Sequence, residues 1–240
     1  MSIKEFLKSS VFYSLFDKTR KRYLYCRRRP YISQLQKRIH TNTSIISSNC
    51  FAGRIMQDLC MQYNSPTLGL YFFTPEYIKF LSNLEYYLTE AKLNFVEESR
   101  YELGNTRRKQ WSHWYPIGML SDESGGVEIE FLHYYSEEEA AEKWYRRSSR
   151  VNLEDVLVIG MEQNLCTVQH IQAFDNLPFK HKLFFSTRQI NCASNIKIGE
   201  FTSNTEVGDP YKKGHVFYKY LADYFNKEEI VDEVSSRSII

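Results

Sequence analysis

Cys50 stands in the stretch TSIISSNCFAGRIMQDLC, Thr43 to Cys60, where a short run of β-type residues gives way to a helical pattern. The unpaired N–H groups at a helix start favour a thiolate, so Cys50 is a candidate nucleophile. Asn49 beside it is a candidate oxyanion donor. Ser48 and Gly53 are candidates for contact with a substrate, Gly53 because a glycine lets a ligand or another chain approach closely. The plainer reading is that Ser48 or Asn49 caps the helix and Cys50 is a small buried residue.

A nucleophile needs a base, and His133 in FLHYYS is the candidate, placed at the end of one strand and shortly before a capped helix. Its plainer role is a structural histidine bonded to a loop carbonyl. In SEEEAAEKWYRRSSRVN, Trp144, Arg147 and Arg150 recur every third residue, close to one helical face. Arg147 and Arg150 suit a phosphate or carboxylate held in bidentate fashion. The competing role is pairing with Glu139 or Glu142, and Lys143 and Arg146 are expected to have only that role. Asn164, His170, Asp175 and His181 form no metal-ligand spacing, His113 and His215 are isolated, and no metal or cofactor is assigned.

The elements that must position these groups alternate. Ile3 to Phe16 reads as an amphipathic helix, followed by a basic, partly helical segment that Pro30 interrupts. Thr43–Ser47, Thr67–Phe73, a weak Asn94–Glu97, Val156–Gly160 and His181–Ser186 read as strands. Helices are expected over Phe51–Tyr63, from Thr74-Pro75-Glu76 through Leu88, from Ser136 with a Glu139 capping box, over Cys166–Phe174 and over Val216–Phe225. Ser99 to Ser112 reads as a polar loop. SDESGG joins Tyr115–Leu120 to Val127–Tyr134 as a hairpin. The alternation predicts a three-layer, Rossmann-like α/β fold: a mixed, mostly parallel sheet with helices on both faces, made mixed by the hairpin. Residues 1–42 form an N-terminal helical basic segment, residues 43–240 the α/β domain, and the tail VSSRSII is expected to fray. In such sheets ligands bind outside the carboxyl ends of the strands, which is where Cys50 and His133 would meet.

Composition narrows the class. The 240 residues, 42% apolar and 15% aromatic, suit a folded core, and a net charge of +2 gives no general field for nucleic acid. The charge is uneven: Lys18, Arg20, Lys21, Arg22, Arg27, Arg28, Arg29, Lys37 and Arg38 crowd one segment. Five scattered cysteines without CxxC suggest reduced thiols in the cytoplasm. Neither a convincing signal peptide nor a bilayer-length apolar run is present. GxGxxG, the P-loop and GxSxG are absent, which removes the usual dinucleotide, nucleoside-triphosphate and α/β-hydrolase signatures.

Several stretches in order, IISSNCFAG, YNSPTLGLYF, TPEYIKFLSNLEYYL, YPIGML, EIEFLHYYSEEEAAEKWYRRSSRVN and LVIG, make the chain resemble the family catalogued as domain of unknown function 1919. Its members are often labelled exopolysaccharide or capsule biosynthesis proteins. Asn49, Cys50, Gly53, Ser65, Pro66, Thr67, His133, Trp144, Arg147, Arg150 and Asn152 match motif positions, whereas Ser48, Phe51 and Ala52 replace a preferred asparagine, tryptophan and glycine. The resemblance implies polysaccharide assembly as a context and supplies no mechanism.

Two expectations follow. The first is a transferase acting on a sugar or acyl group of a polysaccharide precursor. Its partner is a sugar, nucleotide-sugar or acyl-donor small molecule, with Cys50 and His133 at the chemistry and Arg147 and Arg150 on a phosphate. The second is a non-catalytic binding or assembly protein of the same pathway, cytoplasmic and peripheral to the membrane, whose basic segment meets an anionic lipid surface. Nucleic acid ranks last, since no recognised motif accompanies the cations.

Overall fold

The computed structural model describes residues 11–201 and 205–237. They fall into two compact units, one of residues 41–208 and one that joins the N-terminal residues up to His40 with those from Asp209 onward. The α/β unit therefore ends at Gly208 rather than running to residue 240, because the C-terminal helix belongs with the N-terminal one.

In the smaller unit, α1 (Val11–Leu35) packs along α8 (Pro210–Arg237). Pro30 lies inside α1, which continues past it to Leu35 instead of being interrupted. The expected helix over Ile3–Phe16 is seen from Val11; Ile3–Ser10 lie outside the described residues. Of the tail, Val234–Arg237 is helical and the last three residues lie outside them. Lys18, Arg20, Lys21, Arg22, Arg27 and Arg29 are exposed, but Arg28 is buried.

The larger unit is built on a parallel sheet in the order β1 (Ser44–Ser47), β5 (Val156–Met161), β6 (His181–Ser186) and β7 (Asn195–Lys197). Ile45 pairs with Leu157, and Ile159 with Leu183. Every residue of VLVIGM in β5 is buried, as an unbroken apolar run predicts for a strand covered on both faces. The helices between strands are α2 (Phe51–Asp58), α3 (Thr74–Ser82), α4 (Leu84–Thr89), α5 (Glu102–Gln110), α6 (Glu137–Ser148) and α7 (Val168–Asp175). This is the α/β class that the alternation predicts.

The hairpin is placed differently. β3 (Ile117–Leu120) and β4 (Val127–Glu130) pair with each other and with β2 (Leu93–Val96) in a separate antiparallel sheet. Thr67–Phe73 is not a strand. It is an irregular connection held by one bridge, Tyr71 to Glu130, and by Phe72 N–H donating to Ser48 O. Ser99–Ser112, read as a loop, contains α5, with Glu102 in its first turn and Arg107, Arg108 and Lys109 in its last, each sign matched to the helix dipole.

Candidate functional site

At the end of β1 the polar side chains close the junction themselves. Ser47 Oγ accepts from Ala52 N–H (2.9 Å) and donates to Asn49 O. Asn49 Oδ1 accepts from Phe51 N–H (3.0 Å), while its amide donates to Gln163 Oε1 (3.0 Å). Asn49 is thus a helix cap and a strut to β5's outgoing loop rather than an oxyanion donor. Ser48 is buried, and its backbone is bonded to Ile159 and Phe72. Gly53 sits half-buried inside α2. Other family-motif positions brace the same strand: Thr67 Oγ1 accepts from Ser47 N–H (3.2 Å), and Asn152 N–H donates to Ser44 Oγ (2.8 Å).

Cys50 and His133 do come near one another in the fold, through three consecutive residues. The half-buried Cys50 thiol donates to Leu70 O (3.5 Å), and His133 N–H donates to Gly69 O (2.9 Å). Leu68 O accepts from Tyr134 Oη (2.5 Å) and from Arg147 Nη1 (3.3 Å), and Arg147 also donates to Tyr134 Oη (2.6 Å). Gly69 has φ +77°, and a Cβ there would lie 3.1 Å from the Tyr134 ring, so glycine is needed at this crossing. Burial pushes the Tyr134 phenol up to about 12, against the opposing pull of Arg147.

On α6 the i,i+4 pairs form as expected: Lys143 bonds Glu139 and Arg146 bonds Glu142. That leaves Arg147 directed at Leu68 and Tyr134, where it holds the segment. Ser136 Oγ accepts from Glu139 N–H, and the Glu139 carboxylate reaches Tyr135 N–H. Trp144 is not a substrate residue. It is 1% exposed and packs on Phe80 and Phe131 in the core. Arg150 lies past the end of α6 and is exposed, away from the helical face expected for it.

One concave space lies beside His133, in a region whose polar residues gave no periodic signal. A groove of about 690 Å³ is lined by residues that include Glu97, Glu98, Asn105, Arg108, Trp111, His113 and Trp114. Trp111 and Trp114 are 41% and 50% exposed, unusual for indoles unless they meet something. The Trp111 ring meets His133 edge-on with centroids 6.3 Å apart, and His113 stacks on Tyr135 at 4.5 Å. The Arg108 guanidinium lies 4.9 Å above Trp114 and 5.9 Å from the Tyr115 ring. Partial burial, and then the neighbouring His113, lower the His133 pKa, which keeps its ring neutral at physiological pH. Sequence reasoning set His113 aside as isolated. The available signal was two tryptophans flanking a histidine inside a polar stretch.

The described residues hold no cluster of three or more His, Cys, Asp or Glu side chains fit for a metal ion. Among them, no helix is long and apolar enough to cross a membrane.

The chain is 34% identical over 189 residues to an uncharacterized protein of Haemophilus influenzae, a match covering 78% of this chain and 83% of the other. Residues 24–231 match the family model described as domain of unknown function (DUF1919), and the chain belongs to that family.

Proposed function

We propose that this protein acts on a saccharide, as a transferase that moves a sugar or acyl group onto a polysaccharide precursor. The observation that carries the reading is the groove with its two half-exposed indoles. One face of a pyranose is a sheet of C–H groups that stacks on an indole, while its hydroxyls need planar donors and acceptors at the edge. Glu97, Glu98, Asn105 and Arg108 supply those. A volume of about 690 Å³ suits a short oligosaccharide.

His133 borders Trp111, and as a neutral imidazole it suits the role of base. It would take the proton of an acceptor hydroxyl as the new oxygen–carbon bond forms, and the donor's leaving group would depart with the bonding pair. Arg147 and Tyr134 fix the 68–70 segment behind it. The test is a tryptophan-fluorescence titration of the full chain with cellobiose, chitobiose and their uronic-acid counterparts. At least one is expected to quench emission, with about tenfold weaker binding in Trp111→Ala. Unchanged emission with every sugar at millimolar levels rejects the saccharide reading. Transfer from a nucleotide-sugar or acetyl coenzyme A, lost in His133→Ala, tests the chemistry.

The exposed cations of α1 favour a second reading, a non-catalytic assembly protein on an anionic lipid surface. Each cation near such a surface contributes about 1 kcal/mol. Neutralising Arg27 and Arg29, both exposed, would reduce sedimentation with phosphatidylglycerol vesicles; equal pelleting rejects it.

A further inference from the structure

One carboxyl group near the groove is buried in the wall behind Arg108. Glu130 ends β4, is 0% exposed, and neither of its oxygens has a hydrogen-bond partner among the described residues. The hydroxyls of Tyr71 and Tyr115 and the Nε of Arg108 are likewise buried and unpartnered. These groups act on one another: Glu130 bears on both phenols, and Arg108 bears on Glu130 and on Tyr115. Folded proteins rarely leave so many buried polar atoms unsatisfied in one place.

The neighbouring acid shows the contrast. Glu128 accepts from Ser99 Oγ (2.5 Å) and Arg100 N–H (2.8 Å), and Arg100 Nε lies 3.6 Å from it. Glu130 instead lies against the backbone of α5. Gly104 makes that approach possible, since a Cβ there would stand 2.7 Å from Glu130 Oε1 and 2.5 Å from Ser99 Oγ. From the same helix, Arg107 bonds Asn164 (2.6 Å) and covers Tyr71, while Arg108 covers Trp114 in the groove wall and turns its Nε inward.

We propose that Glu130 is a positioning residue of the groove: its buried carboxyl governs where the Arg108 guanidinium stands between Trp114 and the interior, so that a single internal proton sets the cationic wall of the ligand site. Protonated, Glu130 leaves Arg108 over Trp114; ionised, it draws the unpartnered Nε inward. Burial first, then Glu128, raises the Glu130 pKa to about 7, only partly offset by Ser99, Arg108 and Tyr115. The charged or titratable groups facing it are Glu128, Arg108, Tyr71 and Tyr115, with Arg107 acting on Tyr71. The inference depends on the saccharide reading only for what fills the groove.

The experiment follows indole emission of the ligand-free full chain from pH 5 to 9 in a Trp111→Phe background, where Trp114 and the core Trp144 remain, and takes the part lost in Trp114→Phe as the Trp114 signal. An inflection at about pH 7 is expected, kept in His113→Gln and lost in Glu130→Gln and Arg108→Met. An inflection that survives Glu130→Gln, or disappears with His113→Gln, overturns the proposal. In case Glu130→Gln does not fold, carbon-13 NMR of the glutamate carboxyls in the native chain decides it: no carboxyl titrating near neutrality overturns it equally. Cellobiose and cellobiouronic acid titrated at pH 6 and pH 8 complete the set. If neither binds at either pH, the saccharide reading falls while the emission curve still decides the role of Glu130.

Discussion

The β1–α2 junction and the α5 groove are both polar turns of chain beside a sheet, and they treat their polar atoms in opposite ways. At the junction Ser47, Asn49 and Thr67 satisfy one another and the helix's first N–H groups. Around α5 two indoles stand half out, and the buried Glu130, Tyr71 and Tyr115, with the Nε of the half-buried Arg108, keep polar atoms without partners. A closed hydrogen-bond network stabilises a turn; exposed aromatics and unsatisfied polar groups lower stability and persist where they meet a ligand. The contrast supports the tryptophan groove over the cysteine-bearing junction as the seat of the proposed function.

The largest effect that would break this contrast is thermodynamic. Glu130 has its pKa raised from 4.5 to about 7 in the fold, so the native state binds more protons than the unfolded chain between those values. Its favourable contribution is present below pH 4.5 and is lost as pH rises through about 7. At pH 8 the ionised carboxylate destabilises the fold by about 3 kcal/mol on this shift. Glu130→Gln is therefore expected to be more stable than the native chain at pH 8 and nearly equal at pH 5, measured by urea unfolding. A variant weaker than the native chain at pH 8 would place Glu130 among the satisfied structural acids, like Glu128.

A smaller effect sharpens the same comparison. Asn49→Ala removes a helix cap and the bond to Gln163, and is expected to lower stability by about 1–2 kcal/mol. Trp111→Ala, at a half-exposed position, is expected to stay within about 0.5 kcal/mol of the native chain while losing the sugar response. The two variants compared by thermal unfolding and by fluorescence titration should give opposite patterns. Matching patterns would erase the distinction between a structural turn and a binding one.

What the sequence revealed follows the same division. Strands such as VLVIGM announce themselves because burial on both faces demands an unbroken apolar run, and α6 because Ser136 and Glu139 satisfy its start. Cys50 and His133 both follow strand ends, but of different sheets, β1 of the parallel sheet and β4 of the antiparallel one, so the 68–70 carbonyls rather than one common rim bring them near. The groove was not, because α5, ELGNTRRKQ, buries only Gly104 and so carries no apolar stripe. Arg150 was misplaced by a spacing of three that continued a helix past its end at Ser148, and Trp144, within that helix, is a core residue. Thr67–Phe73 looked like a strand because it is apolar, yet it serves as a hub of carbonyls at Leu68, Gly69 and Leu70.

The smallest expected effect concerns Cys50 itself. Its thiol donates a long, weak bond to Leu70 O and does not cap α2, so Cys50→Ala is expected to change stability by less than about 1 kcal/mol. If the groove and His133 carry the reaction, that variant also keeps its transfer rate within about twofold, whereas loss of a covalent nucleophile lowers it by orders of magnitude. A near-complete loss of transfer in folded Cys50→Ala, with saccharide binding intact, would return the chemistry to the junction. His133 would then act on the thiol rather than on an acceptor hydroxyl, since the two residues already lean on adjacent carbonyls. Retained transfer would leave the cysteine as a small residue that fits where β1 turns into α2.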